Sequence, residues 1–228
     1  MTPDDRTPLD RLPLLALDLE TTGLVPGRDR ILAVGVVPVD GERLDLSGAR
    51  RWLVGHHDPG DAVTVHGLTH DDLATGRPLA QVLADVRDAL SGRVLLAHHA
   101  GFELGFLRDA YSAVGEEPPD LTAVCTLRLQ RRVLAAAGVH EPPRGALRLW
   151  QARARFGLPA VRAHDALGDA LACAELYLAQ TAELGADRRL VLRDVRLRAT
   201  AWARWRARWR ARLRRSGRGG VPVSAWWR

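Results

Sequence analysis

Three short apolar runs open the chain, and each has the length of a β-strand. The first run is residues 14–19, the second is residues 30–39 and the third is residues 50–54. Asp40-Gly41 follows the second run, and this dipeptide favours a tight turn between two antiparallel strands. The pattern therefore predicts three successive strands, with a hairpin turn after the second.

Beyond residue 78, apolar positions recur with the period of a helix and alternate with further short apolar runs. In residues 79–90 an apolar side chain returns at every third or fourth position. The same reasoning predicts helices at 102–114, 126–137, 145–156 and 165–184, strands at 94–97 and 121–125, and a Gly/Pro loop at 138–145. Early strands followed by alternating strands and helices indicate an α/β domain.

The first predicted strand ends in two carboxylates, Asp18 and Glu20. Side chains two residues apart on a strand point to the same face. Two carboxylates that lie close together repel each other unless a cation or a proton separates them. Hard cations such as Mg²⁺ and Mn²⁺ prefer oxygen ligands of this kind. Taken alone, the pair is also compatible with two solvated charges at a strand end.

Two further segments combine histidine with a carboxylate. Residues 94–107 contain a carboxylate after a short strand and a His-Ala-Gly-Phe turn, and residues 164–172 contain His-x4-Asp at the start of a late helix. Together with Asp-x-Glu-Thr-Thr-Gly at residues 18–23, this set resembles the DEDDh branch of the DnaQ-like 3′-5′ exonucleases, over about residues 12–185. The resemblance implies a ribonuclease H-like fold, with a mixed five-stranded sheet flanked by helices.

The resemblance also implies roles for individual residues. Asp18, Glu20, Glu103 and Asp169 match carboxylates that bind two Mg²⁺ or Mn²⁺ ions, and His164 matches the general base that deprotonates the attacking water. Two such ions can stabilise both the attacking and the leaving oxygen of a phosphodiester. Glu103 stands where the family usually has Asp, so its carboxylate is one methylene farther from the backbone.

The spacing of His164 and Asp169 predicts where each lies. Five residues at about 100° each would put the two on different faces of one helix. We therefore expect His164 in the loop before the helix and Asp169 in the first helical turn, with Asp165 as the N-cap. An imidazole is suited to accepting a proton near neutral pH, although an isolated loop histidine is more often a surface residue.

The resemblance further implies a set of substrate-binding residues. They are Thr21, Leu24, His66, Thr69, His99 and Phe102. Residues 65–69 resemble the family's Val-His-Gly-Ile-Thr loop, which lies near the bound 3′ nucleotide. His99 stands where the family often has Asn, and Cys125 stands where many relatives have Asp.

The charge of the chain is divided between two regions of opposite sign. The chain has 228 residues and a net charge of +6, and 14 of its 33 basic residues but 2 of its 27 acidic residues lie in 187–228. That region therefore carries +12 and residues 1–186 carry −6. Such a split suggests a nucleic-acid or acidic-surface partner for the basic region.

The sequence is thus interpreted as an exonuclease domain at 1–186, an Arg/Trp-rich helical extension at 187–215 and a flexible tail at 216–228. In the extension, four apolar side chains share one helical face: Trp202, Trp205, Trp209 and Leu213. This face could dock on the domain or a protein partner, bind nucleic acid by stacking and phosphate contacts, or lie in a membrane interface. The sequence leaves these three alternatives open.

Cysteine content and hydropathy bear on the cellular location of the protein. The two cysteines form neither a metal-binding nor a disulfide-rich pattern. We expect no membrane span and no signal peptide, and therefore a cytoplasmic protein.

The predicted activity is metal-dependent 3′-5′ hydrolysis of single-stranded ends, preferably DNA. The expected roles are replication, repair or proofreading, and the expected protein partner is a DNA polymerase or replisome component. The alternatives are an exoribonuclease of the same fold and a non-catalytic nucleic-acid- or polymerase-binding module.

Overall fold

A computed structural model describes residues 3–55, 66–160 and 164–197. The strands are β1 (Pro13–Thr21), β2 (Ile31–Asp40), β3 (Arg43–Leu44), β4 (Arg50–Leu53), β5 (Val94–Ala97) and β6 (Ala123–Cys125). The helices are α1 (His70–Ala74), α2 (Leu79–Leu90), α3 (Ala100–Ala113), α4 (Thr126–Ala136), α5 (Leu149–Arg155), α6 (Ala166–Leu184) and α7 (Leu192–Val195). A short 3-10 helix at Leu9–Arg11 precedes β1.

The strands form one mixed sheet in the order β3-β2-β1-β5-β6. β1 is antiparallel to β2 and parallel to β5, and β5 is parallel to β6. β3 and β4 both pair with β2, at different residues along it. The six strands therefore occupy five positions, which confirms the predicted mixed sheet flanked by helices and adds the two-residue strand β3.

The two faces of β1 pack against different helices. The odd-numbered residues Leu15 to Leu19 belong to the core that includes α2 and α3. The even-numbered residues Leu14 and Ala16 belong to the core that includes α6. Because side chains alternate along a strand, the next even-numbered residues, 18 and 20, project toward the α6 side at the carboxyl end of β1.

Helix bounds agree closely with the pattern, with one clear exception. Helix α2 has the predicted bounds, and α6 begins one residue later than predicted. Helix α5 begins at Leu149 rather than near residue 145. The reason is local: Gly145 has a φ of +85°, a left-handed conformation that an α-helix does not accommodate.

The first and last described segments lie side by side. Backbone hydrogen bonds join Leu9 N–H to Leu190 O, Leu192 N–H to Thr7 O, and Arg193 N–H to Asp5 O. Helix α7 belongs to the same unit, since its Leu192 and Val195 are buried in the α6-side core. The first eleven residues of the predicted extension, 187–197, therefore pack on the domain.

The remainder of the C-terminal region lies outside the described residues. This applies to the tryptophan face of the predicted helical extension and to the predicted flexible tail at 216–228. The domain boundary at 186 and the three alternatives for this face stay predictions. Among the described helices, none combines the length and the apolar character that crossing a membrane requires.

Candidate active site

Three carboxylates converge at the carboxyl end of β1. Asp18 and Glu20 come from the strand, and Asp169 comes from the first turn of α6. One carboxylate oxygen from each residue lies within 4.8 Å of the others. We call these three residues the carboxylate cluster. The two strand residues share one face as predicted, and the third is brought to them by the packing of α6 on the sheet.

The start of α6 has the predicted cap. Asp165 is the N-cap residue, and its Oδ2 accepts a hydrogen bond of 3.0 Å from Gly168 N–H. His164 lies before the helix with a φ of +65°, a left-handed conformation that is uncommon for a residue other than glycine. Its backbone N–H donates to Asp169 Oδ2 at 2.9 Å. This bond holds the proposed base beside the carboxylate cluster.

Burial and crowding act on the pKa of each member of the cluster. Burial raises the pKa of Asp18 well above its usual range, and the charges of Glu20, Asp169 and Glu103 add to this effect. Burial and the neighbouring acids Asp169 and Asp165 raise the pKa of Glu20 to about 8. Burial also raises the pKa of Asp169, although the hydrogen bond from His164 N–H opposes the increase. All three carboxylates are therefore costly to ionise without a compensating cation.

Glu103 lies close to the cluster but is not a member of it. It is on α3 and 3% exposed, and burial raises its pKa to about 8. Its Oε2 is buried and accepts no hydrogen bond from any described residue. Its charge acts on Asp18, so the two side chains are electrostatic neighbours. The structure thus brings together three of the four predicted metal ligands and places the fourth beside them.

These observations fit a divalent cation. The donors are all carboxylate oxygens, the set that Mg²⁺ and Mn²⁺ prefer. The pKa values of the cluster are raised, and no described residue donates a hydrogen bond to the buried Oε2 of Glu103. A bound cation would remove the repulsion and give that oxygen an electrostatic partner.

A neutral hydrogen-bond chain lies next to the cluster, at the ends of β5 and β6. His98 Nε2 is 2.9 Å from Leu147 O, and its Nδ1 is 2.8 Å from the hydroxyl of Thr126. Burial lowers the pKa of His98 to about 4, so the ring is neutral near pH 7. A carbonyl only accepts, so Nε2 carries the proton and Nδ1 accepts from Thr126. The thiol of Cys173, 3.6 Å away, can then donate to Thr126 Oγ1. We call His98, Thr126 and Cys173 the His98 chain.

The predicted substrate-binding residues on β1 and on its following loop lie near the cluster in sequence. Thr21 is buried at the last position of β1, and its hydroxyl donates to Gly23 O at 2.5 Å. Leu24 is partly exposed in the loop that follows. Neither residue is assigned a ligand contact by this geometry, so their substrate role stays a prediction.

The other predicted substrate-binding residues are held by local contacts. His66 is buried, and its Nδ1 accepts from Leu68 N–H at 3.0 Å. Thr69 is the N-cap of α1. His99 precedes α3, where burial lowers its pKa to about 4. Phe102 packs on Phe106 with ring centroids 4.6 Å apart.

Three side chains near the site were not singled out from the sequence. The ring of Trp150 on α5 is 37% exposed and meets the ring of His164 edge-on, with centroids 6.1 Å apart. The buried Arg153 donates to Pro159 O, ahead of His164, and to Ala172 O in α6. Arg51 on β4 pairs with the N-cap of α6, with its Nε 3.4 Å from Asp165 Oδ1. The contacts of Trp150 with His164, of Arg153 with Ala172 and of Arg51 with Asp165 join different elements, so no local pattern reveals them.

Comparison with known proteins gives a family match that spans every candidate site residue. The RNase_T family, described as exonuclease, matches residues 15–177. A DNA polymerase III subunit epsilon-like protein of Rhodobacter capsulatus is 34% identical over 75% of this chain and 24% of its own length. DNA polymerase III subunit epsilon of Treponema pallidum is 30% identical over 71% of this chain and 73% of its own length. The chain thus spans about a quarter of the first relative and most of the second.

Solved structures show the same fold. Exonuclease I of E. coli in complex with a dT13 oligonucleotide aligns with a TM-score of 0.67 and 19% identity, covering 77% of this chain and 42% of the other. Cell-death related nuclease 4 aligns with a TM-score of 0.66 and 15% identity, covering 77% of this chain and 65% of the other. At this identity the alignments establish the arrangement of strands and helices.

Proposed function

Because the chain belongs to the RNase_T exonuclease family, we propose that it is a metal-dependent 3′-5′ exonuclease. It would hydrolyse phosphodiester bonds at single-stranded 3′ ends, preferably of DNA, and release nucleoside monophosphates. The observation that carries the proposal is the convergence of Asp18, Glu20 and Asp169, with His164 joined to Asp169 by a 2.9 Å hydrogen bond.

The proposed chemistry divides the work among the residues of the site. The carboxylate cluster, with Glu103 beside it, would hold two Mg²⁺ or Mn²⁺ ions. Bound ions would supply charge stabilisation to the attacking and leaving oxygens. His164 would accept the proton of the attacking water as general base. The bond from its N–H to Asp169 would keep the imidazole beside the reacting phosphate.

Two observations support DNA as substrate and a replication role. Two relatives carry the names DNA polymerase III subunit epsilon and epsilon-like protein, and one structural neighbour is in complex with a dT13 oligonucleotide. A DNA polymerase or replisome component is therefore the proposed protein partner. The cytoplasmic location expected from the sequence also stays a prediction.

The test is hydrolysis by the purified full-length chain with Mg²⁺ or Mn²⁺. Single-stranded DNA labelled at its 5′ end should give a ladder that shortens from the 3′ end, and 3′-labelled DNA should release labelled mononucleotide at once. RNA of the same sequence compares the two sugar types. Preferential cleavage of RNA would favour the exoribonuclease alternative, and binding without cleavage would favour the non-catalytic module.

His164→Ala tests the proposed base. We expect hydrolysis to slow by about 10²–10⁴-fold, the usual contribution of general base catalysis. His140→Ala is the matched control, because His140 is exposed in the loop before α5. Mn²⁺ titration should give the same affinity for both variants, since neither histidine is a proposed ligand. A large loss of metal affinity in His164→Ala would identify a ligand instead of a base.

A further inference from the structure

Asp18, Gly35 and Arg51 lie in one row across three strands. Asp18 is directly opposite Gly35 in the β1–β2 pairing, and Gly35 is directly opposite Arg51 in the β2–β4 pairing. Residues directly opposite each other in antiparallel strands present their side chains on the same face. Asp18 and Arg51 therefore both project toward α6, and no side chain stands between them.

The missing side chain at Gly35 is where α6 touches the sheet. A Cβ at this position would lie 2.1 Å from the carbonyl carbon of Ala166 and 2.3 Å from the amide nitrogen of Leu167. Both atoms are backbone atoms, which cannot rotate away as a side chain can. Gly35 is not among the residues with positive φ. Space, rather than backbone conformation, therefore requires glycine at this position.

Arg51 contacts the same end of α6 from the next strand. Its Nε is 3.4 Å from Oδ1 of the N-cap Asp165, whose Oδ2 accepts from Gly168 N–H. Leu53 lies two residues farther along β4 and packs in the cluster that contains Ala166. The first turn of α6 is therefore supported by the backbone of β2 and held from β4.

We propose that Gly35 and Arg51 are positioning residues for the metal site. They set the height of α6 above the sheet, and thereby the separation between Asp169 and the pair Asp18 and Glu20. The inference rests on the proposed function, since it assumes that the carboxylate cluster binds the cation. Neither residue is proposed as a ligand, so both act through the placement of Asp169.

The sign of one effect separates positioning from plain electrostatics. The guanidinium of Arg51 is positively charged and lies near the carboxylate cluster, so it would repel a cation bound there. If charge were its whole contribution, removing it would strengthen cation binding. If Arg51 holds α6 in place, removing it weakens cation binding, as loss of residues that support metal ligands generally does.

The experiment is calorimetric titration of Mn²⁺ into the full-length protein and its Arg51→Gln and Arg50→Gln variants. Arg50 is the matched control, because it precedes Arg51 on β4 and faces the opposite side of the sheet. Within the described part of the chain, its guanidinium donates to Ser47 O and Ala49 O of the preceding turn. We expect Arg51→Gln to weaken Mn²⁺ binding by about 10-fold or more. Arg50→Gln should leave it nearly unchanged. Thermal melts should show similar midpoints for the two variants.

Gly35→Ala tests the contact between the β2 backbone at Gly35 and the start of α6. We expect a weaker Mn²⁺ affinity than in Arg51→Gln, because the added methyl must move α6 away from the sheet. If this variant does not fold, the Arg51→Gln result decides alone. Mn²⁺ affinity that is unchanged or higher in Arg51→Gln would overturn the proposal. Absence of Mn²⁺ binding by the wild type would overturn the cation site itself, and with it the basis of the proposed function, before any variant is compared.

Discussion

The carboxylate cluster is partly exposed and the His98 chain is buried, and both lie near the carboxyl ends of strands of the same sheet. The two groups differ in how the charge and the hydrogen bonds of their side chains are compensated. In the His98 chain each donor has an acceptor, and burial keeps the imidazole neutral. In the cluster, three acids crowd within 4.8 Å and their pKa values are raised. Paired neutral groups stabilise a fold at little electrostatic cost, whereas crowded acids destabilise it until a ligand binds.

The two groups are adjacent, since both include a residue of α6: Asp169 in the cluster and Cys173 in the His98 chain. The His98 chain joins β5, the start of α4 and α6, and reaches the loop before α5 through Leu147 O. The cluster requires α6 to stay close to the sheet in spite of the repulsion among its acids. A neutral network across the same helix supplies rigidity without adding charge. Variants in the two groups should therefore differ in their effects on stability and on activity.

Asp18→Asn should have the largest effect. We expect hydrolysis to be abolished, because a proposed metal ligand loses its charge. The melting temperature of the metal-free protein should rise by a few degrees, since repulsion falls and about 1 kcal/mol corresponds to roughly 2–4 °C for a chain of this size.

Asp45→Asn is the matched control for this prediction. Asp45 is a partly exposed turn residue, and its pKa is lowered by the hydroxyl of Ser47 and by the N–H of Gly48. Its loss should leave hydrolysis unchanged and should not raise the melting temperature. Near-native activity of Asp18→Asn with metal in excess would exclude Asp18 as a ligand.

Thr126→Val should lower the melting temperature, whereas Asp18→Asn should raise it. It removes the hydroxyl that donates to His98 Nδ1 and leaves that buried nitrogen unsatisfied, at a cost of about 1–3 kcal/mol in the free energy of unfolding. Mn²⁺ affinity should be retained below the melting temperature. Thr75→Val is the control, because the hydroxyl of Thr75 is exposed and water can replace its bond to Asp72 O. Equal melting temperatures for the two variants would mean that the His98 chain does not stabilise the fold.

Metal-free protein should lose stability as the pH rises from about 6.5 to 8. In this range the folded state retains protons on Glu20 and Glu103, whose pKa values are raised to about 8, while the unfolded state has released them. The unfolded state therefore binds fewer protons, and the free energy of unfolding falls. Below about pH 6.5 the depressed pKa of His98 works the other way, because the unfolded state then binds the extra proton.

The measurement is a series of thermal melts in a chelator at several pH values. Glu20→Gln should flatten the decline above pH 6.5, because it removes one of the retained protons. Adding Mn²⁺ to the wild type should raise the melting temperature most at the high end of the range, where its ligands ionise most readily. A melting temperature independent of pH in the chelator would contradict the raised pKa values.

Glu103→Asp should have the smallest effect. It keeps the carboxylate and restores the shorter side chain of the family pattern, so we expect activity to be preserved or increased. Glu103→Ala is its counterpart and should inactivate, because the acid beside Asp18 is lost. Hydrolysis rates of the two variants at saturating Mn²⁺ measure the difference. Full activity in Glu103→Ala would show that this carboxylate is not required.

Local sequence signals predicted the parts of this molecule that depend on neighbouring residues. The bounds of α2 followed from apolar periodicity, and the cap at Asp165 and the position of Asp169 followed from the start of one helix. The position of Glu103 outside the cluster could not be predicted in this way, because the distance from its carboxylate to Asp18 depends on how α3 packs on the sheet. The alternating faces of β1 needed only the period of a strand, although β1 runs from Pro13 to Thr21 and is longer at both ends than the predicted 14–19.

Contacts between segments distant in sequence could not be predicted from these local signals. Gly35 is one small residue within an apolar run, and nothing nearby indicates that α6 rests on it. The row that includes Arg51 requires the register of three strands. The edge-on contact between Trp150 and His164 requires the packing of α5 beside the loop before α6. Such features depend on tertiary geometry, which the pattern of residue types alone does not specify.

The pairing of residues 5–9 with residues 190–193 affects how this domain can be connected to other domains in a longer polypeptide. Where the two ends of a domain lie side by side, the whole unit can be inserted into a loop of another protein without stretching either connection. Backbone hydrogen bonds fasten the two segments to each other as well as to the core. Connections to sequence on either side of residues 5–193 would therefore leave the fold from neighbouring positions.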